Sequence, residues 1–321
     1  VVSNTADAMG GGVETYGGVV TIANSTISEN TSGYSGGGIE GIMGRFTAIN
    51  STIDRNIAGK IGGGISNESS AMTLVNSTVH GNTAYIVGGG IRNAGDLMGG
   101  YTATMTLTQV TVSRNYTGGI WNEGGVLNLR NTIVANNVHR ADYDAGIDGT
   151  IGANIGNLIG DRSIHSAQTG EPLFGESGDY GGPTLTLPLL PGSPALGNGD
   201  VSACLPTDQR GVARPAIGCD IGAFESQGFT LTVAGGDNQK IAVNTTFANP
   251  LAVTVDSHAW EGQMEPVAGG VVHIFAPGAP APGLTVAPTA TAAISGEQVA
   301  LLNQALSHTA PSLPQSMVVA Q

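Results

Sequence analysis

Apolar residues in the first 135 positions fall in short alternating runs and never at helical spacing. "MTLVNSTV" from Met72 is typical, with threonine, valine and leucine on a period of two and a polar break after each run. The runs recur. "GGGV" begins at Gly10 and "GGGI" at Gly36, Gly62 and Gly88, a step of 26 residues, and a shorter "GGI" follows at Gly118. A second phrase keeps the same beat: "NSTISEN" from Asn24, "NSTIDRN" from Asn50, "NSTVHGN" from Asn76, "QVTVSRN" from Gln109 and "RNTIVAN" from Arg130. Its closing asparagines fall at Asn30, Asn56 and Asn82, and Asn4 extends the series backwards. One such unit of very short strands and Gly/Asn/Ser corners buries no core by itself. Stacked on its own copies, with coils about 4.8 Å apart, it does. The period therefore predicts an all-β chain whose first part is a parallel β-helix of 26-residue coils.

Registration then sets like residues above like. Ile39, Ile65, Ile91 and Ile120 are expected as one inward stack, and Ile27, Ile53, Val79, Val112 and Ile133 as another. Asn67, Asn93 and Asn122 suit an asparagine ladder that satisfies corner backbone groups. The column after the first stack (Glu14, Glu40, Ser66, Arg92, Trp121) and the column after the second (Ser28, Asp54, His80, Ser113, Val134) are expected to face outward. Thr26, Thr52, Thr78, Thr111 and Thr132 precede the second stack; one threonine column, not two, argues against an ice-binding face.

Regular coils run to about residue 135, with looser spacing to 170. Residues 171–227 are irregular and proline-rich, and 228–321 turn to longer alternating strands. The middle segment is expected to cover the last coil, whose edges would otherwise stay unpaired. Cys204 and Cys219 lie within it and read as a disulfide, two buried thiols being the alternative. The strand and turn pattern of 228–321 predicts an immunoglobulin-like β-sandwich.

Within the middle segment, "GGPTLTLPLLPGSPAL", "DQRGVARP" and "CDIGAFE" stand in order. With the upstream "GGGI" and "NSTIS" phrases, they resemble bacterial surface β-helix proteins of the choice-of-anchor Q type over residues 10–226. That resemblance implies a right-handed β-helix and an exported, surface-held protein. Members often carry another cysteine pair near the "NLIGD" phrase, where this chain has Ile147, Asp148 and Ile164. Residues 228–321 resemble the bacterial Ig-like domains of adhesins.

Composition narrows the function. Charged residues are 11% against a usual ~25%, and glycine, 51 of 321, is about twice its usual ~7%. Such a surface fits a rigid extracellular β protein. A net charge of −13 argues against nucleic acid and anionic membranes as partners, and no apolar run approaches the ~20 residues of a membrane span. The N-x-S/T triplets at Asn24, Asn50, Asn76 and Asn115 read as products of the corner motif.

Chemistry is sparse. Asp142, Asp144 and Asp148, with His139, Arg140 and Asp161 nearby, are the best acidic cluster; they read as turn residues, with calcium as the alternative and catalysis a distant third. His80 reads as a solvated histidine, and Trp121 as packing or a sugar contact. No nucleophile, phosphate-loop or zinc spacing stands out. The expectation is a non-enzymatic structural protein of a bacterial cell surface, without cofactor unless calcium binds. It would be a spacer or self-assembling filament subunit whose partners are its own copies. The alternatives are an adhesin that engages surface proteins or glycans and, more remotely, a polysaccharide lyase or hydrolase. The first coil, entered in register at "VVSNTADAMGGGV", is the edge expected to pair with a neighbouring copy.

Overall fold

The computed structural model describes residues 1–95, 102–138, 144–165, 167–236, 249, 251–275, 290–295, 299–302 and 318–320. They are almost wholly strand and turn, the one helical element among them being a 3₁₀ turn at Val201–Ala203. No helix among the described residues is long and apolar enough to cross a membrane. Two compact units are formed, the first from residues 1–172, 176–189 and 194–226, the second from 173–175, 190–193 and 227–321.

The first unit is a parallel β-solenoid of about six coils. The coil from Ile65 shows the plan: Ile65–Glu68 and Ala71–Val75 lie in a wide sheet, Thr78–His80 in a second sheet, and Thr83–Ala84 in a narrow third one. Each strand pairs in parallel with its equivalents in the coils before and after. Alternation sends Met72 and Leu74 inward to full burial. Ile39, Ile65, Ile91 and Ile120 are mutual lateral partners and fully buried, as are Ile27, Ile53, Val79 and Val112.

The second stack continues through Val134, not Ile133. Val112 pairs with Val134 while Ile133 pairs with Thr111, so the repeat phrase runs from Asn131 rather than from Arg130. Asn131, at φ +44°, takes the left-handed corner that Asn24, Asn50, Asn76 and Gln109 take in earlier coils. Ile133 thereby replaces threonine in the threonine column, Ala135 rather than Val134 follows Ser113, and Thr132 sits one place earlier.

The glycine triplet has a separate reason at each position. Gly62 turns the chain at φ +62°. A Cβ on Gly63 would lie 2.3 Å from the Thr83 carbonyl oxygen and 2.4 Å from that of Gly89, so only glycine lets these backbones approach. A Cβ on Gly64 would lie 2.9 Å from the Asn82 side-chain amide.

That amide belongs to a ladder longer than the one expected. Asn67, Asn93 and Asn122 do form a ladder, with Nδ2 of Asn67 donating to Asn93 at 2.7 Å and Asn93 to Asn122 at 2.6 Å. The closing asparagines form a second one. From Asn4 through Asn30, Asn56, Asn82 and Asn115 to Asn137, each Nδ2 and each backbone N–H donates to the Oδ1 of the next, at 2.9–3.1 Å.

The irregular segment reaches the last coil, where Gln168 Nε2 donates to the Asn198 carbonyl at 3.4 Å. It also runs along the side of the solenoid as a clasp on the threonine sheet. Thr52 Oγ1 donates to the Leu185 carbonyl, Thr78 Oγ1 to Gln209 Oε1, and Gln209 Nε2 to Thr52 Oγ1. Ala223 N–H donates to Thr111 Oγ1, and Gly222 N–H to the Asn131 carbonyl. The threonines are thus docking groups, which removes any ice-binding face. At the far end the core is filled by Ile164, 4% exposed, with Ile147 and Ile151 packed beside it. The clasp is closed by the Cys204–Cys219 disulfide.

In the second unit Phe229–Gly235, Leu251–Ser257, Val299–Leu302, Ala290–Ser295, Val271–Phe275 and Val318–Ala320 pair antiparallel in that order. Phe229, Val253 and Val255 are buried within it.

Candidate functional site

The strongest chemical constellation lies on the threonine sheet. Asp54 is the lateral partner of His80, and His80 of Ser113, which puts acid, imidazole and hydroxyl in three successive coils about 4.8 Å apart. The expected solvated His80 is therefore corrected: Asp54 stands one coil away and the imidazole is half-buried. Asp54 and Ser113 are 1% and 0% exposed. Burial raises the Asp54 pKa, with Arg55, 3.2 Å away, opposing and Glu29 adding to it. Burial lowers that of His80, Arg114 and Arg55 act in the same sense, and a Ser113 backbone bond and Glu176 oppose it. The imidazole is thus neutral at neutral pH.

A base between an acid and a hydroxyl is the order that nucleophilic serine chemistry requires. The bonds that would make it work are not formed. Ser113 Oγ, His80 Nδ1 and both Asp54 oxygens lack hydrogen-bond partners, and Ser113 offers no surface to a substrate. Arg114, beside Ser113, reaches Glu176 of the clasp at 3.2 Å. The column is a polar seam at the solenoid's clasped face.

The acidic cluster separates. Asp142, His139 and Arg140 lie outside the described residues. Asp144 is buried and ends the long ladder: its Oδ1 accepts the backbone N–H and Nδ2 of Asn137 at 2.9 and 3.0 Å. Burial lifts its pKa to about 6, the Asn137 bonds pulling it back and Asp161 and Glu171 adding to the rise. Asp161 staples the turn, accepting from the N–H groups of Asp144 and Ser163, both at 2.8 Å. Asp148 is exposed on the strand Ala145–Ile155, opposite Glu123. Among the described residues no three His, Cys, Asp or Glu side chains are grouped to hold a metal ion.

The column expected to face outward beside the first stack is buried in its middle. Glu40 and Ser66 are 0% exposed and Arg92 3%. The glycine turn of the same coil folds over them, so that a Cβ on Gly36 would lie 2.7 Å from Glu40 Oε2. Burial raises the Glu40 pKa to about 7; the Ser35 and Ser66 hydroxyls pull it down, yet neither carboxyl oxygen has a well-formed hydrogen bond. Arg92 pairs with Glu123 at 2.7 Å, and Trp121, its lateral neighbour, is half-buried.

The clasp motifs hold the densest charge. Arg210 donates to Asp208 at 2.9 Å and lies 3.6 Å over the Phe224 ring, and Arg214 donates to Glu225 at 2.6 Å. Asp220 Oδ1 and Oδ2 accept from the N–H groups of Gly197 and Ser226, each at 2.7 Å. These groups are spent on closing the clasp. Fold and site together define a parallel β-solenoid with a laterally docked clasp. Comparison with family models, with curated proteins and with solved structures finds no match to the chain.

Proposed function

We propose that the chain is a non-enzymatic structural protein of a bacterial cell surface, a rigid spacer or filament subunit. In this reading the solenoid is of the choice-of-anchor Q type and the second unit is an Ig-like domain. The observation that carries it is the unbroken side-chain ladder from Asn4 to Asp144, which commits the polar interior to coil-to-coil bonding. Such bonding stiffens a rod. The disulfide supports an oxidising, extracellular setting, and the closed Asp54–His80–Ser113 seam supports a role without catalysis. Electron micrographs and solution mass of the purified chain test it. Ordered fibres make assembly the function, dispersed rods of monomer mass leave a spacer, and a serine-directed probe that labels Ser113 would overturn the non-enzymatic reading. A second reading, an adhesin that binds glycans, is favoured by the exposed tyrosines Tyr34 and Tyr85, in the bends after the narrow strands, and Tyr116.

A further inference from the structure

The polar seam under the clasp carries more donors and acceptors than the clasp uses. Both Asp54 carboxylate oxygens, His80 Nδ1, Ser113 Oγ and Thr186 Oγ1 are buried atoms without a hydrogen bond. Asp54, His80 and Ser113 are successive lateral partners in three coils. Ile53, Val79 and Val112 of the same strands point inward, so the three polar side chains project from the other face. That face is the clasped one, because Thr52, Thr78 and Thr111, two residues earlier in each coil, bond the clasp. Thr186 belongs to the clasp and follows Leu185, whose carbonyl accepts from Thr52. Left unmet, each such group costs about 1–3 kcal/mol, and native proteins meet them with a neighbour, a water or an ion.

The donor set selects the occupant. A carboxylate offers acceptors only, and Nδ1 of a neutral imidazole offers a lone pair when Nε2 carries the proton. Asp54 and His80 sit on adjacent coils, about 4.8 Å apart along the sheet, a separation that two side chains span through a single ion. Charge agrees with a cation. Asp54, Glu29 and Glu176 face only Arg55 and Arg114, which leaves one negative charge in excess. Arg55 Nη2 lies 3.2 Å from Glu29 as well as from Asp54, so it keeps an ion pair when Asp54 turns to a metal. Imidazole nitrogen beside carboxylate oxygen suits zinc and its transition-metal neighbours, whereas calcium and magnesium take oxygen. Ser113 is two coils from Asp54, about 9.6 Å, and its hydroxyl suits a water on the ion better than the ion itself.

We propose that Asp54 and His80 Nδ1 bind one divalent cation of the zinc class in the seam, its coordination completed by waters that the Ser113 and Thr186 hydroxyls hold. The ion is structural, joining two coils beneath the clasp, and it is independent of whether the chain serves as spacer or adhesin. The test strips the full chain with a chelator and titrates it with Zn²⁺ by calorimetry. One saturable site per chain is expected, with a higher thermal transition when it is filled. Binding should be lost on His80→Gln and on Asp54→Asn, with far-UV circular dichroism to show that each variant keeps its fold. It should be unchanged on His165→Gln, a change at an exposed histidine, and Ca²⁺ should not compete. X-ray absorption of the zinc-loaded parent, which needs no variant, should show an imidazole nitrogen together with oxygen ligands. A shell of oxygen alone, or no saturable site in the parent, would overturn the proposal and leave the seam to water. Zinc binding that survives both seam substitutions, or that falls with His165→Gln, would overturn it as an adventitious ion only.

Discussion

Asn56 shows what one side chain does in this architecture. Its Oδ1 accepts from the backbone N–H and Nδ2 of Asn30, and its Nδ2 donates to the Ile27 carbonyl and to Asn82 Oδ1, all at 2.9–3.0 Å. Alanine would strip the Asn30 backbone N–H and the Ile27 carbonyl of these bonds, while Asn82 Oδ1 keeps the backbone N–H of residue 56 and Asn30 Nδ2 keeps the Val1 carbonyl; a buried group left unmet is worth about 1–3 kcal/mol. Asn56→Ala should therefore lose about 2–3 kcal/mol in urea denaturation, more than removal of an exposed asparagine. Glu40 sets a pH dependence. Its pKa is raised from 4.5 to about 7 in the folded chain, chiefly by burial, so folding takes up a proton between those values. Stability from this group is present at low pH and is lost as pH rises through about 7. Glu40→Gln should stabilise the chain at pH 8, on the order of 1–3 kcal/mol, and have little effect near pH 4.5. Denaturation midpoints of both proteins across that range check it, and Asp144, raised to about 6, gives the parent protein a slope of the same sign. The residue types of both columns are plain in the sequence. The burial of Glu40 is not, because its cover is the turn beginning at Gly36 in its own coil, a matter of corner geometry and not of period.

At the scale of elements, strands were legible and their offsets only partly so. A repeat of 26 residues fixes which residues stack, since a slip would turn every side chain to the other face. Where the step changes to 22, between Asn115 and Asn137, two adjacent asparagines compete for one position. The structure chooses Asn137 for the ladder, and Ile133 moves out beneath the clasp. The clasp itself has no period, and its contacts reach across more than a hundred residues, as from Thr78 to Gln209. Its "DQRGVARP" and "CDIGAFE" phrases become intelligible once Asp208, Arg210, Arg214, Asp220 and Glu225 are seen as one buried ionic cluster. Arg214 donates to Glu225 and to the carbonyls of Asp220 and Gly222, while burial pushes the Glu225 carboxyl to about 7 and that of Asp220 to about 6. Arg214→Met should cost about 3–5 kcal/mol, since it leaves buried carboxylates without a counter-charge. The check is guanidinium denaturation at pH 8; recovery on acidification would identify the carboxylates as the cause.

For the whole molecule, nearest-neighbour stacking made the rod readable, because each coil needs only the coils beside it. A plain solenoid of that kind has no intrinsic number of repeats: duplicating or deleting one coil leaves every remaining interface as it was. The clasp changes this. Its bonds are spaced along the rod at Thr52, Thr78, Thr111 and Asn131, and Gln209 bridges two adjacent coils. Duplicating residues 52–77 would insert a rung of about 4.8 Å between these points and throw one end of the clasp out of register. Duplicating residues 13–38, ahead of the clasped stretch, adds the same rung and disturbs none of them. The first variant should unfold at lower denaturant than the parent and the second at an equal or higher concentration, although both gain one coil. The clasp is then a gauge: it tallies repeats that the repeats cannot tally for themselves, and recombination among near-identical coils yields a well-sealed protein only when the count is preserved.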